Sequence, residues 1–313
     1  MAASRSALGR AAEAALQNAV AFGYVAGWRL VRLLPERAAL AVFARIADSV
    51  HRREGRSVRR LRANLARVRP DLDEEGLHQL THAAVRSYLR YWAESFRLPS
   101  WPMDDVVRRT RIVGEHNVRD AYAAGNGVVV PLPHMANWDW AGAWGCATGM
   151  PLTTVAERLQ PERLYDEFVA FRASLGMEIL PAGEPSTFPT LVERVRAGRL
   201  VPLLADRDLS RSGVEVRLCG EPARMPRGPA ELARRTGAPL VPATLAYDGP
   251  ELVVTFHPPV PHSEGEDGVV EMMQAVADRF TDALRAHPAD WHMMQRVFVA
   301  DLRPPSPETR DEG

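Results

Sequence analysis

The stretch GVVVPLPHMANWDWAGAWG, residues 127–145, decides the fold of this 313-residue chain. Its β-branched run stops at Pro131 and is typical of a buried strand, and a helical pattern begins near Trp138. A buried strand followed closely by a helix is the repeating unit of α/β proteins, whose ligand sites lie beyond the carboxyl ends of the strands. We therefore expect His134 at such a ligand-binding edge.

From about residue 111 onward, short apolar runs alternate with helical patterns. Strands are predicted at GVVVPL (127–132), LTTVAE (152–157), MEILPA (177–182), LVPLLAD (200–206), VEVRLCG (214–220), PLVPATLAY (239–247) and ELVVTFH (251–257). Helices are predicted near 115–125, 137–148, 161–175, 186–198, 229–236 and 268–286. This alternation predicts an α/β core over residues 101–302, with a mixed central sheet flanked by helices.

Residues 1–100 form a separate region that is rich in Ala, Leu and Arg and is expected to be helical. Its apolar stretch AVAFGYVAGW (19–28) is about half as long as a membrane-spanning helix, and HRREGRSVRRLRANLARVRP (51–70) is strongly basic. Two interpretations fit equally well: an interfacial region that lies on an anionic membrane, or a helical hairpin that packs on the core. The tail, residues 303–313, has a composition typical of disorder.

The overall composition excludes several classes of function. Lys+Arg and Asp+Glu both number 39, so the net charge indicates no nucleic-acid partner. The chain contains no lysine, which excludes Schiff-base catalysis. Cys146 and Cys219 are too few for a disulfide framework and lack the spacing of zinc ligands. We expect neither a metal site nor a bound cofactor.

His134 and Asp139 are the candidate catalytic pair. Asp139 follows His134 by five positions, inside the next helix, where its carboxylate could orient the imidazole and stabilise the imidazolium. A base without a neighbouring nucleophile suits direct activation of a substrate hydroxyl. The alternatives are a histidine satisfied in its loop with an aspartate that caps the helix, and, more weakly, a two-ligand metal site.

Two further classes of function compete with a transferase. An esterase or thioesterase is disfavoured because the motif G-x-S-x-G is absent from the sequence. A non-catalytic protein that binds lipid at a membrane surface stays possible from these residues alone.

Four blocks in a fixed order carry a family resemblance. They are the H-x4-D of His134 and Asp139, FRASLGMEILP (171–181), LLADRDLSRSGVEVRLCGEPARMPRGPAELARRTGAPLVPA (203–243) and HPADWHMMQRVF (287–298). The blocks resemble the bacterial lysophospholipid acyltransferase family that includes the lipid A biosynthesis acyltransferases. They are most similar to its actinobacterial branch, the phosphatidylinositol mannoside acyltransferases.

The resemblance implies a peripheral enzyme on the cytoplasmic face of the cell membrane. Such an enzyme moves a long acyl chain, typically palmitoyl, from acyl-CoA to a mannose hydroxyl of phosphatidylinositol mannoside, without a covalent intermediate. A lipid A-type or other glycolipid or lysophospholipid acceptor is the alternative. His134 would be the general base and Asp139 its orienting partner. The family places further polar residues around this histidine, and the matching positions here are Glu157, Arg172, Asp206 or Asp208, and His292.

Three arginines are candidate anion ligands. Arg172 lies on a predicted helix and could bind a phosphate or carboxylate, or be a surface cation. Arg224 and Arg227 precede the helix that starts at Gly228-Pro229, where free backbone amides favour a phosphate. A solvated loop arginine is the alternative for both.

Overall fold

The N-terminal helices of the protein fold back onto its α/β part. The computed structural model describes residues 23, 27–158, 161–208 and 212–302. After a helical stretch at 27–33, the chain forms α1 (Glu36–Arg52), α2 (Arg56–Val68) and α3 (Glu74–Arg97). Asp73 caps α3 by accepting a hydrogen bond from the Gly76 amide at 2.8 Å.

The spacing of apolar residues explains how α1 packs. Ala39, Phe43, Ala47 and His51 recur every four residues and form its buried face. The Trp28 ring contacts those of Phe96, Phe168 and Phe171, which joins the helical region to the core. No helix among residues 27–158, 161–208 and 212–302 combines the length and apolar character that crossing a bilayer requires.

The α/β part contains every helix and strand that the sequence predicted, and in addition two strands and two short helices. Its elements are α4 (Met103–Arg108), β1 (Thr110–Val113), α5 (Glu115–Ala123), β2 (Val128–Leu132), α6 (Trp138–Ala147), β3 (Thr153–Ala156), α7 (Glu162–Ser174), β4 (Glu178–Pro181), α8 (Thr187–Arg196), β5 (Leu200–Leu204), β6 (Val214–Leu218), β7 (Glu221–Met225), α9 (Gly228–Thr236), β8 (Ala243–Asp248), β9 (Glu251–Phe256), α10 (Gly268–Ala286) and α11 (Val299–Leu302). Strands β1 and β7 and helices α4 and α11 were not predicted.

The strands are mixed, as predicted, but they form several small sheets instead of one continuous central sheet. Strand β9 pairs in parallel with β1 and antiparallel with β8, while β2–β5 and β3–β4 are parallel pairs and β6–β7 is a hairpin. Isolated bridges, such as Leu152 to Leu200 and Val129 to Leu240, link these pieces. Pro131 and Pro202 lie within β2 and β5 and have no amide to donate, which limits further pairing.

The strand predicted at 239–247 begins only at Ala243 in the structure, because Pro242, just before it, has no amide to donate to a neighbouring strand. A glycine permits the start of β2: Gly127 has a φ of 69°, and a Cβ there would clash with the Val195 carbonyl oxygen. Most of the apolar stretch 19–28 and all of the tail 303–313 lie outside the described residues, so their predicted properties stay predictions.

Candidate active site

A strained turn between β2 and α6 presents His134. Strand β2 ends at Leu132, and Asn137 caps α6 by accepting from the Trp140 amide at 3.0 Å. Ala136 adopts a positive φ of 45°, which is rare for a residue with a side chain, and its amide donates to the Asp290 carbonyl at 2.9 Å. The hydrogen bond to Asp290 therefore stabilises the conformation of this turn, and the turn fixes the direction of the His134 side chain.

Asp206, and not Asp139, orients the His134 imidazole. Its Oδ1 lies 2.6 Å from His134 Nδ1, and its Oδ2 accepts from the His134 amide at 3.0 Å and from Trp291 Nε1 at 2.8 Å. Burial alone would raise the pKa of Asp206, but the charge and hydrogen bonds of His134 and the Trp291 bond hold it below its usual value. The group is thus a carboxylate, which can only accept, so Nδ1 carries the proton. In the neutral imidazole, this tautomer leaves Nε2 without a proton and able to accept one.

The predicted pairing of Asp139 with His134 is corrected by the structure. Asp139 is buried in the first turn of α6 and accepts from Arg172 Nε at 2.7 Å and from the Tyr91 hydroxyl at 2.9 Å. Its carboxylate therefore ties α6 to α7 and α3. Burial alone would lower the pKa of Arg172, but Asp139 and Tyr91 hold it above its usual range. Arg172 is consequently an ion-paired wall residue and not a surface cation.

His292 lies against the same turn as a neutral histidine. Its amide donates to the His134 carbonyl at 2.8 Å, and its Nε2 lies 3.0 Å from Ser87 Oγ. Burial, with a smaller contribution from His134, lowers the pKa of His292 to about 3. Its buried Nδ1 has no hydrogen-bond partner among the described residues. Ser87 also donates to Asp290 at 2.7 Å and does not line the cavity described next.

A cavity of about 490 Å³ opens beside His134. Its polar lining includes His134, Asp139, Glu157, Arg172 and His292, so five of the predicted site residues converge there. Most of the remaining wall is apolar and comes from α6, α7, the strands and the loops next to them, with Val130, Leu132, Trp144, Leu152, Phe168, Met177, Leu200, Leu245, Val254 and Phe256. The site is therefore a small group of polar side chains, His134 among them, in one cavity with a mostly apolar wall.

Four predicted site residues do not line this cavity: Asp206, which contacts His134 from behind it, and Asp208, Arg224 and Arg227. Asp208 accepts from the Gly213 amide at 3.1 Å, which settles the choice between the two aspartates in favour of Asp206. Arg224 donates to the Gly213 carbonyl at 3.2 Å, and Arg227 pairs with Glu231 at 2.6 Å. The two arginines ahead of the helix start at Gly228 are therefore not part of the cavity beside His134.

Sequence reasoning missed three residues of the site. Arg207 pairs with Glu157 at the cavity wall, and it directly follows Asp206 in the quoted block 203–243. Tyr91 is 48 positions from Asp139, and Trp291 is 85 positions from Asp206. Contacts over such separations leave no local pattern.

Comparisons with known proteins give matches over nearly the whole chain. The family model of bacterial lipid A biosynthesis acyltransferases matches residues 10–299. Over 282 residues, the chain is 44% identical to a phosphatidylinositol mannoside acyltransferase of Mycolicibacterium smegmatis, covering 90% of this chain and 91% of the relative. A protein of the same name from Mycobacterium tuberculosis is 44% identical over 290 residues, covering 91% and 90%. Since the family model matches nearly the whole chain and two relatives are 44% identical over about 90% of it, the chain belongs to the bacterial lipid A biosynthesis acyltransferase family.

Proposed function

We propose that this acyltransferase moves a long acyl chain, palmitoyl, from acyl-CoA to a mannose hydroxyl of a phosphatidylinositol mannoside. The observation that carries the proposal is the orientation of His134 by Asp206 at the wall of the largely apolar cavity. The names of both mycobacterial relatives, phosphatidylinositol mannoside acyltransferases, support the acceptor.

His134 acts as the general base. The proton on Nδ1 is held by Asp206, so Nε2 takes the proton of the acceptor hydroxyl as its oxygen attacks the thioester carbon. The tetrahedral intermediate then collapses, the C–S bond breaks, and the imidazolium returns the proton to the thiolate of CoA. Asp206 stabilises the imidazolium between these two steps and does not itself take the proton.

Trp138 supplies a hydrogen-bond donor to the oxyanion of the intermediate. Its ring lines the cavity and meets the His134 ring edge to face, with centroids 5.4 Å apart. The Trp138 indole N–H is buried and has no acceptor in the part of the chain that the structure describes. An unpaired buried donor costs free energy, and a developing oxyanion beside His134 would satisfy it.

The apolar wall of the cavity holds the acyl chain. Each methylene that leaves water contributes about 0.8 kcal/mol, so a long chain brings enough binding free energy to position the thioester without a covalent link to the protein. His134, at the mouth, then meets the first carbon of the chain.

The acceptor and donor are tested together by product analysis. Purified protein is incubated with labelled palmitoyl-CoA and, separately, a phosphatidylinositol mannoside, a lipid A precursor and a lysophospholipid, and the products are identified by mass spectrometry. We expect acylation of a mannose in the first reaction. Acylation of only the lipid A precursor or the lysophospholipid would replace the acceptor, and release of free palmitate in all three would make the protein a hydrolase.

We further propose that the enzyme attaches peripherally to the cytoplasmic face of an anionic membrane through its N-terminal helices. Exposed apolar side chains support this: Leu33 is 80% exposed and Leu30 63%, and Val42 and Ile46 on α1 are 41% and 43% exposed. An aqueous surface rarely gathers such residues on one stretch, whereas an interfacial helix requires them.

Co-sedimentation with anionic liposomes tests this attachment. Leu33→Gln should reduce the bound fraction, and Val270→Gln on α10, where Val270 is also exposed, is the matched control. Salt should weaken binding without abolishing it, because screening leaves the apolar term intact. A wild-type protein that stays in the supernatant at low salt would contradict the proposal.

A further inference from the structure

A second cavity, of about 590 Å³, lies beside the catalytic one. Four arginines line it, Arg56, Arg59, Arg60 and Arg296, and we call this group the basic cleft. Met294 and Gln295 line both cavities, so the two spaces share a wall. The basic cleft is therefore at the margin of the catalytic cavity.

The charges of the basic cleft are only partly neutralised. Arg60 pairs with Asp301 at 2.7 Å, and Arg59 donates to the Glu54 carbonyl at 2.8 Å. Arg56 and Arg296 are exposed, and neither makes an ion pair with any residue that the structure describes. A net positive charge remains, which favours an anionic ligand.

Backbone amides at the start of α2 are further hydrogen-bond donors beside these guanidinium groups. Helix α2 begins at Arg56, its cap residue is Gly55, and its first turn contains no acidic residue. The free amides of this turn and the helix dipole are thus not satisfied by a side chain of the cap. Amides and forked guanidinium groups together match the oxygens of a phosphate.

A buried amide fixes the basic cleft relative to the base. Asn64, on α2, is fully buried and donates to the carbonyls of Met293 at 2.8 Å and Gln295 at 2.9 Å. The neighbouring His292 amide in turn donates to the His134 carbonyl at 2.8 Å. A ligand held in the cleft would therefore have a defined position relative to His134.

We propose that the basic cleft binds a phosphate ester carried by one of the two substrates, an inference that rests on the proposed function. Both substrates carry phosphate: the nucleotide of acyl-CoA, and the phosphodiester of the inositol lipid. In each, a linker separates the phosphate from the reacting group, the pantetheine arm in one and the sugar rings in the other. The phosphate site must therefore lie outside the apolar cavity but next to it, where the cleft is.

Binding measurements without turnover test the proposal. The variant Arg56→Gln/Arg296→Gln removes the two unpaired charges, and Arg279→Gln/Arg285→Gln removes two exposed charges from α10, which lines neither cavity. One arm measures the affinity of each protein for CoA and for dephospho-CoA by calorimetry. The other measures affinity for phosphatidylinositol in micelles of a non-ionic detergent.

The cleft variant should bind one of the two ligands about tenfold more weakly, because a hydrogen bond to a charged group contributes about that factor to affinity. The α10 variant should bind both ligands as tightly as the wild type. Weaker CoA binding identifies the donor's phosphate, and weaker phosphatidylinositol binding the acceptor's. Unchanged affinity in both arms, or equal losses in the two variants, would overturn the proposal. Because neither arm needs turnover, a wild type that binds but transfers no acyl group would refute the proposed function and not the cleft.

Discussion

Replacement of Asp206 by asparagine should remove the base from the cavity while keeping the shape of the site. Oδ2 of Asp206 accepts two hydrogen bonds, from the His134 amide and from Trp291 Nε1. The oxygen of an asparagine must take that position, since its NH₂ group cannot face two donors. The NH₂ group is then directed at His134 Nδ1.

An NH₂ group at that position reverses the tautomer of His134. Nδ1 must accept instead of donate, so the proton moves to Nε2 and the nitrogen that faces the substrate can no longer take a proton. The change also removes the negative charge that stabilises the imidazolium. Inversion of a histidine tautomer by this change costs about 10⁴ in kcat in a serine protease, and we expect a loss of about 10³ to 10⁴ here.

Steady-state kinetics with palmitoyl-CoA and a phosphatidylinositol mannoside measure this loss. We expect the fall in kcat with little change in the KM of either substrate, because Asp206 does not line the cavity. Thermal melting and circular dichroism confirm that the variant is folded. A folded Asp206→Asn protein that retains more than about a tenth of wild-type kcat would refute the role of Asp206 and the tautomer derived from it.

Three further predictions concern the walls of the site. Asp139→Asn leaves the buried Arg172 charge without its carboxylate, so urea titrations should show the free energy of unfolding lowered by roughly 3–5 kcal/mol. A variant with wild-type stability and a reduced kcat would instead show that Asp139 takes part in catalysis. The pKa of His292 is lowered from 6.5 to about 3, so below pH 6.5 the unfolded chain binds a proton that the folded chain does not. Unfolding titrations should show the free energy of unfolding of the wild type falling by about 2 kcal/mol between pH 6.5 and pH 5 from this group, and His292→Asn should lack that component. The same pH dependence in both proteins would contradict a buried neutral histidine. Gly145 lies on α6 against Leu200 and lines the apolar cavity, so the side chain of Gly145→Leu should fill part of it. The KM for palmitoyl-CoA should rise about tenfold while the KM for octanoyl-CoA stays unchanged, and equal effects on both donors would exclude this cavity as the acyl site.

Much of the fold was predictable because the strands and helices of the core have strong local patterns. The position of His134 followed from the buried strand before it, and this prediction is confirmed by the structure. The sheet boundaries were less predictable, since prolines such as Pro131 and Pro202 interrupt pairing in a way that depends on which strands are neighbours.

The partner of His134 shows where single-sequence reasoning ends. The motif H-x4-D favoured Asp139 because it is near in sequence, yet Asp206 is 72 positions away. Strands β2 and β5 are parallel and pair Leu132 with Leu204, so His134 and Asp206 each lie two residues beyond the same edge. Knowledge of that one pairing would have identified Asp206, but the sequence alone does not say which strands are adjacent.

The proposed base can be tested directly by one single-turnover experiment. Purified wild type and His134→Ala are each mixed in excess with labelled palmitoyl-CoA and a phosphatidylinositol mannoside, and the acylated product is quantified by mass spectrometry over time. If His134 is the general base, the variant transfers the acyl group at least about 10²-fold more slowly while its circular dichroism and melting curve match the wild type. A properly folded His134→Ala protein that acylates the lipid at a near-wild-type rate would contradict the account.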